Sequence, residues 1–152
     1  MREIASLDAL KVLVGQDVGT SEWIDISQND VNQFAQATGD HQWIHTDPER
    51  AEKESPFGGP VAHGFLTLSL LPALMSKTIQ VRGVRMGVNY GLNRVRFTAP
   101  VPVGAAVRLH AKLVSVDAPD SSVATLTWAV TMEAQGIAKP VCVAETLSRL
   151  YF

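Results

Sequence analysis

The hydrophobic positions change period near the middle of the chain: in the first half they recur at helical spacing, in the second they alternate one by one. Val31, Phe34 and Ala35 form an i, i+3, i+4 stripe. Ser27, with Asp30 three residues on, gives the pattern of a capping box before it, and Gly39 stands where a helix C-cap glycine belongs. This predicts a helix over about 28–38 that delivers Asp40 at its exit. Asp47 before Pro48 reads as an N-cap followed by a first-turn proline, predicting a short helix to about Lys53. Residues 41–46 lie between the two, and the proline- and glycine-rich 55–60 form a rigid loop. Over 63–77, Phe65, Leu66, Leu68, Leu70, Leu71, Ala73, Leu74 and Met75 cover most of a helical circumference. That helix is expected to be buried, with a kink or break near 68–72, because Pro72 removes a backbone donor and crowds the preceding turn.

The second half is strand-rich. Residues 84–90 and 92–97 favour β-structure, and the two prolines of 100–104 mark a turn. Val107, Leu109, Ala111 and Leu113 alternate with polar partners, as do Leu126, Trp128, Val130 and Met132. With 22–26 added, an antiparallel sheet of five or six strands is expected, with the apolar helix on its greasy face. The class is α+β, and residues 1–152 make one domain.

Composition adds two expectations. Charged residues are only 18% of the chain, against roughly 25% in an average globular protein, while hydrophobic ones reach 46%. Some apolar surface should therefore meet a second copy, in a homodimer. A net charge of −2 argues against a nucleic-acid partner. The single cysteine, Cys142, sits in a strand-like Val-Cys-Val-Ala run and reads as a small buried hydrophobe. The N-terminus lacks the basic start and apolar core of a signal peptide, and no apolar run approaches membrane-spanning length, so a cytoplasmic location is expected.

Ionisable groups gather in one window: Asp40, His41, His45 and Asp47, with His63 after the loop. A carboxylate and an imidazole five residues apart can converge on one water, and histidine exchanges protons near neutrality. The competing account has Asp40 capping a turn and His45 bonding backbone. A metal reading draws on the i, i+4 spacing of His41 and His45, but Gly39 before them and Pro48 after them disfavour a helix through both. Nucleophile elbows and phosphate loops are absent from the sequence. His63 and Gly64 precede the apolar helix, where unpaired N–H groups point outward and a glycine admits close approach of a substrate oxygen.

Taken together, Ala37-Thr38-Gly39-Asp40, His45-Thr46-Asp47 and the run from Phe57 through Gly58-Gly59-Pro60-Val61-Ala62 to His63-Gly64 resemble the MaoC-like, (R)-specific enoyl-CoA hydratase family. The likeness is greatest to its single-domain, nodulation-protein-N-like branch, in which the 39–45 run is familiar. The resemblance implies a hot-dog fold, a long helix wrapped by an antiparallel sheet, usually dimeric. It implies reversible hydration of a trans-2-enoyl thioester to the (3R)-3-hydroxyacyl thioester, carried by coenzyme A or acyl carrier protein, with no metal or redox cofactor. Asp40 and His45 become the catalytic pair, and the Gly64 N–H an oxyanion donor. Relatives usually carry Asn-Pro where Gln42 and Trp43 stand here. Many steady the aspartate with a helix hydroxyl, for which Ser69 and Thr67 are the candidates. Trp43, Phe57, His63 and Ser69 are candidate substrate contacts; Lys77, Arg82, Arg85, Arg94 and Arg96 are candidates for carrier phosphates. A hot-dog acyl-CoA thioesterase and a non-catalytic acyl-binding subunit are the competing readings.

Overall fold

A computed structural model describes residues 1–152. In chain order the elements are β1 (Arg2–Ile4), α1 (Leu7–Val12), β2 (Asp17–Thr20), β3 (Ile24–Asp25), α2 (Gln28–Thr38), α3 (Trp43–Thr46), α4 (Pro48–Glu54), α5 (Gly64–Ser69), α6 (Leu71–Thr78), β4 (Ile79–Val81), β5 (Met86–Arg96), β6 (Ala106–Asp117), β7 (Val123–Ala134) and β8 (Cys142–Tyr151). The main sheet runs β2-β6-β7-β8-β5, with β3 also paired to β6, and every pairing in it is antiparallel. A separate parallel pair joins β1 to β4, so the segment after the helices is tied back to the N-terminus.

The alternation along β6 and β7 survives into burial: Val107, Leu109, Ala111 and Leu113 face inward, as do Leu126, Trp128, Val130 and Met132. They pack with Leu66, Leu71 and Leu74 of α5 and α6 in one buried cluster. Each fully buried Leu or Val in it stabilises the fold by roughly 1.5–3 kcal/mol. This sheet curved over a helical axis is the hot-dog fold. Cys142 lies inside the cluster, and burial pushes its thiol up to about 11. No helix is long and apolar enough to cross a membrane.

The break expected near 68–72 falls at Leu70, so the 63–77 segment is two helices, α5 and α6, with Pro72 in the first turn of the second. The chain continues by a tightened turn, the Leu70 N–H donating to the Thr67 carbonyl at 3.3 Å. Other expectations are adjusted. The pair is not buried all round. Phe65 is 67% exposed, because the sheet covers one side of the helical axis and leaves the other open. The two strands over 84–97 are the single β5, with register shifts between Asn89 and Gly91 and between Leu92 and Arg94. The strand over 22–26 shrinks to β3, and residues 41–46 contain the one-turn helix α3.

Candidate active site

Local chemistry places the first side chain. The Ser27 Oγ accepts from the Asp30 N–H at 3.2 Å while the Asp30 carboxylate accepts from the Ser27 N–H at 2.8 Å, fixing the start of α2. The same hydroxyl also donates to Asp30, and these bonds hold the Asp30 carboxyl below the usual range. Gly39, at φ 79°, ends the helix in the left-handed region that glycine adopts without steric cost. The chain therefore leaves α2 at a fixed angle and presents Asp40 with its side chain 54% exposed. Asp40 Oδ1 accepts from the Gln42 N–H at 3.4 Å.

His45 reaches the same place from α3 and is buried. Its Nδ1 lies 2.6 Å from the Val61 carbonyl oxygen. A carbonyl only accepts, so Nδ1 carries the hydrogen and Nε2 keeps its lone pair for chemistry. Desolvation, followed by the neighbouring His63, lowers the pKa of His45, opposed by the Val61 bond and by Asp40. The Gln28 side chain, reaching from α2, donates to the His45 carbonyl at 2.8 Å. His63 stacks on His45 with centroids 3.9 Å apart and planes 27° from parallel. Its Nε2 donates to the Asp40 carbonyl at 3.0 Å and stands 4.0 Å from Asp40 Oδ2. One oxygen or ring nitrogen from each of Asp40, His45 and His63 falls within a 4.8 Å span. Two groups that close are bridged by a single water making two hydrogen bonds of ordinary length. The fourth histidine, His110, is elsewhere, on the outer face of the sheet between Thr20 and Glu133.

By distance, Asp40, His45 and His63 could hold a cation. The Val61 and Asp40 carbonyls engage His45 Nδ1 and His63 Nε2, so His45 Nε2 and His63 Nδ1 are the ring nitrogens left for one. His41 and His45 share no helix, since α3 begins at Trp43. Asp47 is spent as the N-cap of α4, accepting from the Arg50 N–H at 3.1 Å.

Gly64 opens α5 with an ordinary helical backbone; its φ is not positive. The reason for glycine lies in packing. A β-carbon there would stand 2.7–2.9 Å from three ring atoms of Phe97, which lies just past the end of β5. Phe97 in turn meets Phe65 edge-on at 5.7 Å. Phe97, Gln28 and the Val61 carbonyl are parts of the site that the residue pattern does not flag.

Beyond the first turn of α5 a cleft of about 930 Å³ runs between the helices and the inner face of β5, β7 and β8, lined by Leu68, Ser69, Met75, Tyr90, Leu92 and Trp128 among others. That volume suits a small ligand or an acyl chain. Trp43 and Phe57 are not in its wall: Trp43 lies beneath the Arg50 guanidinium, and Phe57 is on the exposed 55–60 loop. Neither helix hydroxyl bonds Asp40; Ser69 donates to the Phe65 carbonyl and Thr67 to the His63 carbonyl. Arg94 and Arg96 are exposed on β5, and Arg82 is paired with Glu3 at 2.6 Å.

Comparison with known proteins agrees with this architecture. The MaoC like domain matches residues 10–134. The chain is 51% identical over 149 residues to 3-hydroxyacyl-thioester dehydratase Z of Mycobacterium tuberculosis, covering 98% of each protein. It is 46% identical over 155 residues to nodulation protein N of Rhizobium meliloti, covering 100% of this chain and 94% of that one. Among solved structures, the (R)-hydratase from A. caviae involved in PHA biosynthesis superposes with a TM-score of 0.67 at 26% identity, covering 89% of this chain and 94% of that one. With a family model over most of its length and relatives this similar end to end, the chain belongs to the MaoC-like domain family.

Proposed function

We propose that the protein is a hydro-lyase that reversibly hydrates trans-2-enoyl thioesters to (3R)-3-hydroxyacyl thioesters. The observation that carries this reading is the convergence of Asp40 and His45 within one water's reach, with the His45 tautomer set by Val61. The near full-length relative named as a 3-hydroxyacyl-thioester dehydratase and the (R)-hydratase structure support it. A water between the two side chains adds at C3 as one of them takes its proton and a proton is delivered to C2. Negative charge builds on the thioester oxygen as the C3–O bond forms, where the Gly64 N–H donates, and is discharged when C2 takes its proton; removing one such donor costs about 3–4 kcal/mol in comparable sites. The low pKa of His45 keeps its Nε2 lone pair free near neutrality, suiting it to bind and polarise the water.

The acyl chain occupies the cleft along α5 and α6, with Ser69 in its wall. The carrier is coenzyme A or acyl carrier protein, with Arg94 and Arg96 available to phosphate, and the reaction needs no metal or redox cofactor. The protein works in the cytoplasm as a homodimer. Support for the dimer comes from β5, the terminal strand of the sheet, whose outer backbone edge has no partner strand within this chain and whose Met86 is exposed outside the cleft wall. A long unpaired edge of this kind invites a partner strand.

Crotonyl-CoA hydration, followed by loss of enoyl absorbance, tests the reading. Wild type is active, and Asp40→Asn and His45→Gln each lose about 100- to 10,000-fold in kcat. Inactivity of wild type on short and long enoyl-CoAs, or full activity in both variants, overturns it. Release of free thiol without hydration would identify a thioesterase instead.

A further inference from the structure

We propose that His63 is a positioning residue that holds Asp40 and His45 in register. The inference rests on the reading of those two as the reacting pair. His63 is 2% exposed, and its ring is gripped on three sides. One face stacks on His45, Phe34 of α2 packs at 5.0 Å with its plane tilted, and the Nε2 edge donates to the Asp40 carbonyl. Asp40 and His45 are the titratable groups in contact with it. Its own backbone is fixed by the Thr67 N–H, which donates to the His63 carbonyl at 3.1 Å.

Two features separate this role from ordinary core packing. The remaining hydrogen bonds of residues 39–42 are local, reaching no further than Ala35 and Thr46; the His63 bond spans 23 residues and alone ties the Asp40 loop to the helical axis. The second feature is a cost. With Nε2 donating, Nδ1 is left buried without a partner. Burying an unpaired polar atom is unfavourable, and a phenyl ring would fill the space without that penalty. What phenylalanine lacks is the N–H directed at Asp40. The residue thus combines a donor for one functional side chain's backbone with a flat face for the other.

The test compares His63→Phe, which keeps the ring and loses the donor, with His63→Gln, whose amide can still donate to the Asp40 carbonyl. Crotonyl-CoA kinetics and thermal unfolding are measured for both, beside Asp40→Asn and His45→Gln. His63→Phe is expected to unfold no earlier than wild type, yet to lose roughly ten- to a hundredfold in kcat with little change in KM, the scale of a small misplacement of reacting groups. His63→Gln is expected to recover much of that loss. Wild-type kcat in His63→Phe, or a loss in His63→Gln as large as in His63→Phe, overturns the positioning role. If His63→Phe does not fold, His63→Gln decides alone: kcat close to wild type supports the role, and a hundredfold loss overturns it. Full activity in Asp40→Asn and His45→Gln would instead remove the underlying pair, so the two failures are told apart.

Discussion

Gly64 invites a test with a defined sign. Its backbone is one that alanine adopts freely, so conformation alone would favour Gly64→Ala by about 0.4–1 kcal/mol through the unfolded chain. Packing opposes it. The new methyl would lie 2.7 Å from Cδ2, 2.8 Å from Cγ and 2.9 Å from Cε2 of Phe97. Cγ is the root of the ring, so turning the side chain about its outer bond does not clear the contact; the whole ring must move and give up its edge-on contact with Phe65. Overpacking of this kind costs about 1–3 kcal/mol. Less the conformational gain, the net cost centres on about 1.3 kcal/mol; for a chain of this size each kcal/mol moves Tm by about 2–4 °C, so Gly64→Ala is expected to melt about 4 °C, and at most about 10 °C, below wild type. In a Phe97→Ala background the obstruction is gone, and the same substitution should be neutral or raise Tm. Circular-dichroism melts of wild type, both single variants and the double variant give the complete cycle. Loss of the same size in both backgrounds, or no loss in wild type, refutes the explanation of this glycine by the aromatic ring.

Charge and surface supply two further predictions. Because burial lowers the pKa of His45 in the folded protein, the unfolded chain binds the extra proton first as pH falls. The contribution of His45 to stability is complete above the unfolded value of about 6.5 and declines as pH drops from there to the folded value. Urea melts across this range should show a smaller pH slope in His45→Gln than in wild type, and equal slopes would contradict the assignment. For the proposed dimer, sedimentation at micromolar concentration should give twice the 16.4 kDa chain mass, and Met86→Lys, on β5 outside the cleft wall, should shift it towards monomer; a monomeric wild type removes the dimer.

Features governed by neighbours in sequence were legible from sequence. Ser27 with Asp30, Gly39 and Asp47 with Pro48 each act within a few residues, and all appear as caps. The inward faces of β6 and β7 were equally readable, since alternation by two has one geometric meaning. Short elements were not. α1 buries Leu10 alone, and β1 owes its existence to β4, more than 70 positions away. In the site, Asp40, His45 and His63 stood out as ionisable residues close together in the chain. The stack of His45 on His63, the Gln28 tether and the ring of Phe97 over Gly64 are tertiary contacts with no local pattern to announce them. Trp43 and Phe57 show the converse. Aromatic character near an acid-base pair suggests a substrate wall, but neither ring lines the cleft: Trp43 packs under Arg50 on α3, and Phe57 is half exposed on its loop.

The four residues 61–64 organise the whole constellation. Val61 gives its carbonyl to His45, His63 gives its N–H to the Asp40 carbonyl, and Gly64 presents an N–H at the start of α5. A segment of so few residues needs outside support to hold such positions, and it has support on both flanks. The Val61 N–H donates to the Ile44 carbonyl at 3.0 Å, tying it to the one-turn helix that carries His45. The Ala62 N–H donates to the Val101 carbonyl at 2.8 Å, and Val61 forms an isolated antiparallel bridge with Pro102. The 100–104 segment, which reads in sequence as a turn with no chemistry of its own, is therefore the rail that sets 61–64 against the sheet. Proline fits this position because it stiffens the rail, while Val101 and Pro102 still offer carbonyls and the missing proline N–H is not required at an edge. Precision at Asp40 and His45 is thus inherited from the sheet through backbone bonds at Val61 and Ala62 and the two imidazole-to-carbonyl bonds of His45 and His63.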